Sequence, residues 1–195
     1  MTRQTSMPGR PRAGFSLAEL MIVLVVAGTL MALGVPRLDY GKYRADAAVQ
    51  NLRTVLMQAQ RTALLRQYDV VISIDTVHNG LKWAEDANND GAIQPTEHVR
   101  TYPLSDQVVF YAAPVGIDGL AASAVSGSAM SSLNSLPTIT FHRDGAASSD
   151  LTLYLAGATS PSRTYRAVRL TQSTARTDWY RFNAVAGIWQ LGGLQ

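Results

Sequence analysis

Gly14-Phe15-Ser16-Leu17-Ala18-Glu19-Leu20 leads into a run that carries no charged residue from Leu20 to Pro36, and Arg37 closes it. Arg3, Arg10 and Arg12 precede the run, and no acidic residue occurs before Glu19. Counted from Phe15, the apolar stretch meets the roughly 20 residues that a membrane-crossing helix needs. Positive charge ahead of such a span places the N-terminus in the cytoplasm and the bulk of the chain outside. Glu19 is the exception within it. A carboxylate there is costly unless it sits at the membrane face or meets a buried positive partner. Cleavage after Gly14 would create such a partner, the new amine of Phe15 on a neighbouring subunit in a packed helical bundle.

A secretory signal peptide is the competing reading, with Ala27 to Ala32 as a small-residue cleavage region after the apolar stretch. Such a signal has no use for the acidic Glu19 ahead of its apolar run. The secretory reading is the weaker one.

The Gly14–Leu20 heptad resembles the cleavage and methylation motif of class III signal sequences, found in type IV pilins and type II secretion pseudopilins. The resemblance implies that a prepilin peptidase cuts between Gly14 and Phe15 and methylates Phe15. It also implies that Glu19, the fifth mature residue, serves subunit registration, and that Pro36 kinks the helix.

Beyond Pro36 the period changes. Ala45, Ala48, Val49, Leu52, Val55, Leu56, Ala59 and Ala63 recur at three- and four-residue steps, with Arg44, Arg53, Arg61 and Arg66 between them. This predicts an amphipathic helix with one face for a core. A single long helix is expected from Phe15 to about Gln67, loosened at Gly34 and Pro36.

Strand patterns follow at 70–74, 81–84, 98–102, 107–112, 138–142, 151–155, 165–171, 179–182 and 188–191. His78-Asn79-Gly80 carries a hairpin signal. The stretch from Pro114 to Pro137, rich in Ser, Ala and Gly, reads as a partly mobile surface loop. A helix followed by antiparallel strands gives an α+β fold. The expected organisation is a leader (1–14), a transmembrane helix half (15–36), an amphipathic half (37–68) and a β-rich head (69–195). Within the head, Ile139-Thr140-Phe141-His142-Arg143-Asp144-Gly145-Ala146-Ala147-Ser148 resembles a block of the GspH/FimT group of pseudopilins, as does Asp86–Gly91 after Trp83.

The bulk numbers agree with one folded domain plus an extended element. The 195 residues are 47% hydrophobic and 16% charged, which excludes a disordered chain. Cysteine is absent, which excludes disulfides and thiolate metal sites. The net charge of +3 comes with 15 arginines and demands no acidic partner.

Asp86, Asn88, Asp90, Gly91 and Glu97 fit the calcium-loop pattern position for position, which makes calcium the one candidate cofactor. The flanks read as strands, Pro95 crowds the loop, and Asn-Asp-Gly makes a good turn, so the turn is preferred. His78, His98 and His142 are scattered without a paired nucleophile, and no catalytic arrangement is visible. Arg163, Arg166, Arg169, Arg176 and Arg181, with Tyr165, Trp179 and Tyr180 among them, form a candidate nucleic-acid surface. A solvated face is the preferred account.

Together these readings describe a minor pseudopilin of type II secretion, an assembling subunit and not an enzyme. It is expected to lie in the inner membrane with a periplasmic head, and its partners are other pseudopilins and the prepilin peptidase. The alternatives are a minor type IV pilin with a DNA-binding head and a conventionally secreted domain.

Overall fold

The computed structural model describes residues 14–34, 40–94, 96–105, 107–120, 122–127 and 130–192. The chain divides into two units, Met1–Asp39 and Tyr40–Gln195. In the first, α1 spans Leu17–Gly34. Ser16 caps it: its side-chain oxygen accepts the Glu19 N–H at 3.2 Å, and its carbonyl accepts the Leu20 N–H at 3.2 Å. The Thr29 hydroxyl donates back to the Val25 and Val26 carbonyls, which satisfies it inside the helix. No helix among the described residues is long and apolar enough to cross a membrane. At about 1.5 Å per residue, the 18 residues of α1 extend about 27 Å against a hydrocarbon core of about 30 Å. The span expected from the sequence runs on through Pro36. That proline, the leader's first 13 residues and any continuity of the helix across 35–39 lie outside the described residues.

In the second unit, α2 spans Tyr40–Arg66 and buries Ala45, Ala48, Val49, Leu52, Val55, Leu56, Ala59 and Ala63, the face expected from periodicity. It stops at Gln67, whose φ of 60° sends its N–H back to the Ala63 carbonyl at 2.9 Å. Two antiparallel sheets share this helix. The first contains β1 (Asp69–Asp75), β2 (Gly80–Asp86), β3 (Val99–Pro103), β6 (Ser131–Leu133) and β7 (Leu136–Phe141), in the order β3-β2-β1-β7-β6. The second contains β4 (Val108–Phe110), β8 (Leu151–Gly157), β9 (Arg166–Leu170), β10 (Thr177–Asn183) and β11 (Ile188–Leu191), in the order β11-β10-β9-β8-β4. A further strand, β5 (Val125–Gly127), pairs with β8 beyond β4. A short helix, α3 (Pro161–Thr164), links β8 to β9.

Alternation along each strand decides which side chains meet α2. Val70, Ile72 and Ile74 of β1, Ile139 and Phe141 of β7, and Leu151, Leu153 and Leu155 of β8 point inward and are essentially inaccessible. With Val168, Leu170, Trp83 and the α2 stripe they form one core. The fold is therefore α+β, as expected.

Two local expectations are corrected. Residues 114–137 are more than a surface loop: they carry β5 and β6, and Ile117 and Ala122 cover Tyr154 and Ala167 on the outer face of the second sheet. The hairpin near Asn79 is real but turns differently. Thr76–Asn79 form the turn, Asn79 takes the positive φ (48°), and Gly80 begins β2 opposite Asp75. Gly80 is needed instead for the approach of β3, where an added Cβ would stand 3.1 Å from the Tyr102 carbonyl oxygen.

Candidate assembly site

Gly14, Phe15 and Ser16 precede α1 as non-helical chain, so the Gly14–Phe15 bond lies just ahead of a capped helix. A side chain added at Gly14 would meet nothing within 4 Å, and the residue's φ does not require glycine. This fold makes no demand for glycine there. Phe15 is 83% exposed, and every large apolar residue from Leu20 to Val26 is more than half exposed. These side chains fall on all sides of the helix axis. A helix apolar all round is stable only when surrounded by lipid or by other protein. Glu19, in the first turn, is the one acid in α1.

The head's charges are organised by acids that the sequence did not single out. Asp46 on α2 accepts Arg166 Nε through Oδ1, and it accepts Arg181 Nη2 through Oδ2 at 2.9 Å. Arg166 and Arg181 face α2 because they share the inward side of β9 and β10 with Val168 and Trp179. Arg166 is 4% exposed, and it also donates to the Tyr165 carbonyl at 2.9 Å. Arg181 lies 5.0 Å from the Trp179 ring centre. Arg176 pairs with Asp178 at 3.1 Å. The five arginines thus form no common surface. Arg163, Arg169 and Arg176 are exposed, while Arg166 lies inside the head, against the solvated-face expectation.

The Asp86–Glu97 loop uses its oxygens on its own backbone. Asp86 accepts the N–H groups of Asp90 (3.1 Å) and Gly91 (2.8 Å), and Glu97 accepts those of Ala87 (3.0 Å) and Gln94 (2.8 Å). The Asn88 side-chain amide donates to Asp90 at 2.8 Å. The Ala92 N–H, with the Asn88 and Gln94 amides, holds the Asp90 carboxyl below its ordinary range. Among the described residues no three acidic or histidine side chains converge as a metal site. The sequence pattern is equally that of a self-bonded turn.

Two further acids order turns. Asp75 accepts the Val77 and His78 N–H groups at 3.2 and 3.0 Å, with His78 Nδ1 at 2.9 Å and Lys82 Nζ at 3.1 Å from Oδ2. These donors, the backbone N–H of His78 first, hold its carboxyl well below the usual carboxylate range. Asp69 meets His142 Nδ1 at 2.8 Å and the Arg143 N–H at 3.2 Å. Histidine is therefore a turn partner at both places. The 139–148 block is a joint between sheets. Gly145, at φ 90°, turns the chain, Ala147 N–H donates to the Gln172 carbonyl at 2.8 Å, and Gln60 of α2 donates to the Gly145 carbonyl at 2.9 Å. An alternating polar-apolar pattern hides these acids, because their partners lie in turns that the pattern does not mark.

The family model for type II transport protein GspH matches residues 48–175, and the model for the prokaryotic N-terminal methylation motif matches residues 9–35. Two structures of the minor pseudopilin EpsH from the type II secretion system of Vibrio cholerae are similar, each with a TM-score of 0.46. One is 13% identical, over 76% of this chain and 95% of that one; the other is 15% identical, over 77% and 94%. No curated protein matches. With its family model spanning α2 through β9 and the methylation motif ahead of it, the chain belongs to the family of type II transport protein GspH.

Proposed function

We propose that this protein is a minor pseudopilin that assembles into the periplasmic pseudopilus of a type II secretion system, and that it acts by assembly and not by catalysis. The observation that carries the reading is α1, whose apolar side chains are exposed on every side behind a capped, glycine-led start. In this reading a prepilin peptidase removes residues 1–14 and methylates Phe15. The apolar segment first anchors the subunit in the inner membrane, with the head on the periplasmic side. It then packs among the same segments of other pseudopilins, where Glu19 neutralises the Phe15 amine of a neighbour. The head needs no active site for this role.

The test is a deletion strain scored in parallel for secreted enzymes and for surface pili with DNA uptake. Lost secretion with intact pili is the expected result. Lost pili or uptake with normal secretion would assign the chain to a type IV pilus instead. The exposed Arg163, Arg169 and Arg176 would then be the residues to exchange for a DNA-binding role.

A further inference from the structure

Burial on α2 begins only at Ala45. The turn ahead of it, Tyr40-Gly41-Lys42-Tyr43-Arg44, has four exposed residues, with Tyr40 at 56% and Tyr43 at 67% exposure. The two tyrosines are three residues apart and share a face. A single exposed aromatic is ordinary, but two beside basic side chains at an unpacked helix start need an environment. Arg44 donates to the neutral side-chain oxygen of Gln107, so that contact leaves its positive charge in place. Tyrosine with basic residues is the composition found where a chain leaves a bilayer, because an aromatic ring with one polar tip suits the headgroup layer. The sequence keeps this turn near the apolar segment. Five residues lie between Gly34 and Tyr40, six residue steps that extended chain spans in at most about 21 Å.

We infer that Tyr40 and Tyr43, with the Arg44 guanidinium, seat the first turn of α2 in the phospholipid headgroup layer of the leaflet on the head's side. The rings lie among glycerol and acyl-chain ends, the hydroxyls reach water and phosphate, and Arg44 faces lipid phosphate. This rests on the membrane-anchored reading proposed above. It adds a second contact, one that holds the start of the head helix at the surface until the subunit leaves the bilayer.

The chain has no cysteine, so single-cysteine variants of the full-length protein take one spin label each. Labels go on Ala47→Cys, one turn beyond Tyr43, on Leu65→Cys, and on Val26→Cys. Leu65 is exposed and about 33 Å along α2 from Tyr43. The protein is reconstituted in vesicles of phosphatidylethanolamine with a minority of phosphatidylglycerol, containing a nickel-chelating lipid as a headgroup-level relaxation agent. The label at 47 is expected to relax strongly and the label at 65 not to. Tyr40→Ser with Tyr43→Ser should lower relaxation at 47 to the level at 65, and Tyr40→Trp with Tyr43→Trp should preserve it. A lipid-embedded label at 26 with an aqueous label at 47, or a serine pair without effect, overturns the inference alone. Relaxation at 47 that follows protein density instead of lipid would give this face to a neighbouring subunit and also overturn it. An aqueous label at 26 removes the anchoring reading itself.

Discussion

Arg166 shows what a side chain's surroundings can do to a charge. It sits inside the head because Asp46 meets it there, and the two are 120 residues apart in the chain. Removing one partner of such a pair leaves the other uncompensated. Asp46→Ala should therefore cost about 3 kcal/mol, the lower end for breaking a buried pair, since Asp46 itself keeps some exposure. Asp46→Leu combined with Arg166→Met should recover part of that loss, because an apolar pair replaces the buried ionic one while the half-exposed Arg181 turns to solvent. Urea unfolding of the full chain in detergent measures both. Asp75 carries a second prediction. Its carboxyl is held below the ordinary range by the His78 N–H and its neighbours, so the stability it adds is fully present above about pH 4 and is lost as the pH falls toward its lower folded value. Asp75→Asn should flatten that part of the acid unfolding curve, followed by thermal midpoint between neutral and strongly acid pH. Neither acid was legible beforehand. Asp46 reads as one more polar residue on a helix, and its partners are fixed only once β9 and β10 are folded against it.

Elements were far more legible than contacts. The eight buried residues of α2 are the eight that recur at three- and four-residue steps, since a long helix with one apolar stripe leaves little choice of face. The longer strands announced themselves by alternation. The three-residue strands β5 and β6 did not, because three residues carry too little alternation to stand out from a Ser- and Gly-rich stretch. The turn before β7 was hidden for a related reason: Asn134 and Ser135 both take positive φ without a glycine to mark it. At Gly145, by contrast, a glycine does stand where the backbone turns left-handed. Its φ is 90°, and an added Cβ would stand 3.1 Å from Leu64 Cδ2. Gly145→Ala should destabilise the head by at least about 1–2 kcal/mol, the ordinary cost of forcing a side chain into left-handed backbone. Loosened protection of the Ala147 amide in hydrogen exchange would locate the damage at the joint between the sheets. In the Asp86–Glu97 loop the oxygens already hold backbone N–H groups. Millimolar calcium should accordingly leave the thermal midpoint of the chain unchanged; a clear rise would mean that the loop rearranges to bind it.

For the whole molecule, the N-terminal heptad spoke most clearly of function, because beyond the Ser16 cap this fold asks little of its residues. Gly14 has open space around it, Phe15 stands exposed, and Glu19 is the one charge in α1. Glu19→Ala should leave the head folded while incorporation into filaments falls, a combination read by circular dichroism of the purified chain and by subunit content of sheared filaments. Normal incorporation would remove charge pairing as the assembly signal. The even distribution of aliphatic side chains around α1 has one more consequence. Turning that helix about its own axis exchanges one greasy face for another at almost no change in free energy, so the segment has an address along its length and none around its circumference. In the filament proposed above, such a subunit would meet the neighbour above it with one side and the neighbour below it with another, without a dedicated socket for either. In that assembly the single carboxylate would set how far it slides, and the neighbours would set how far it turns.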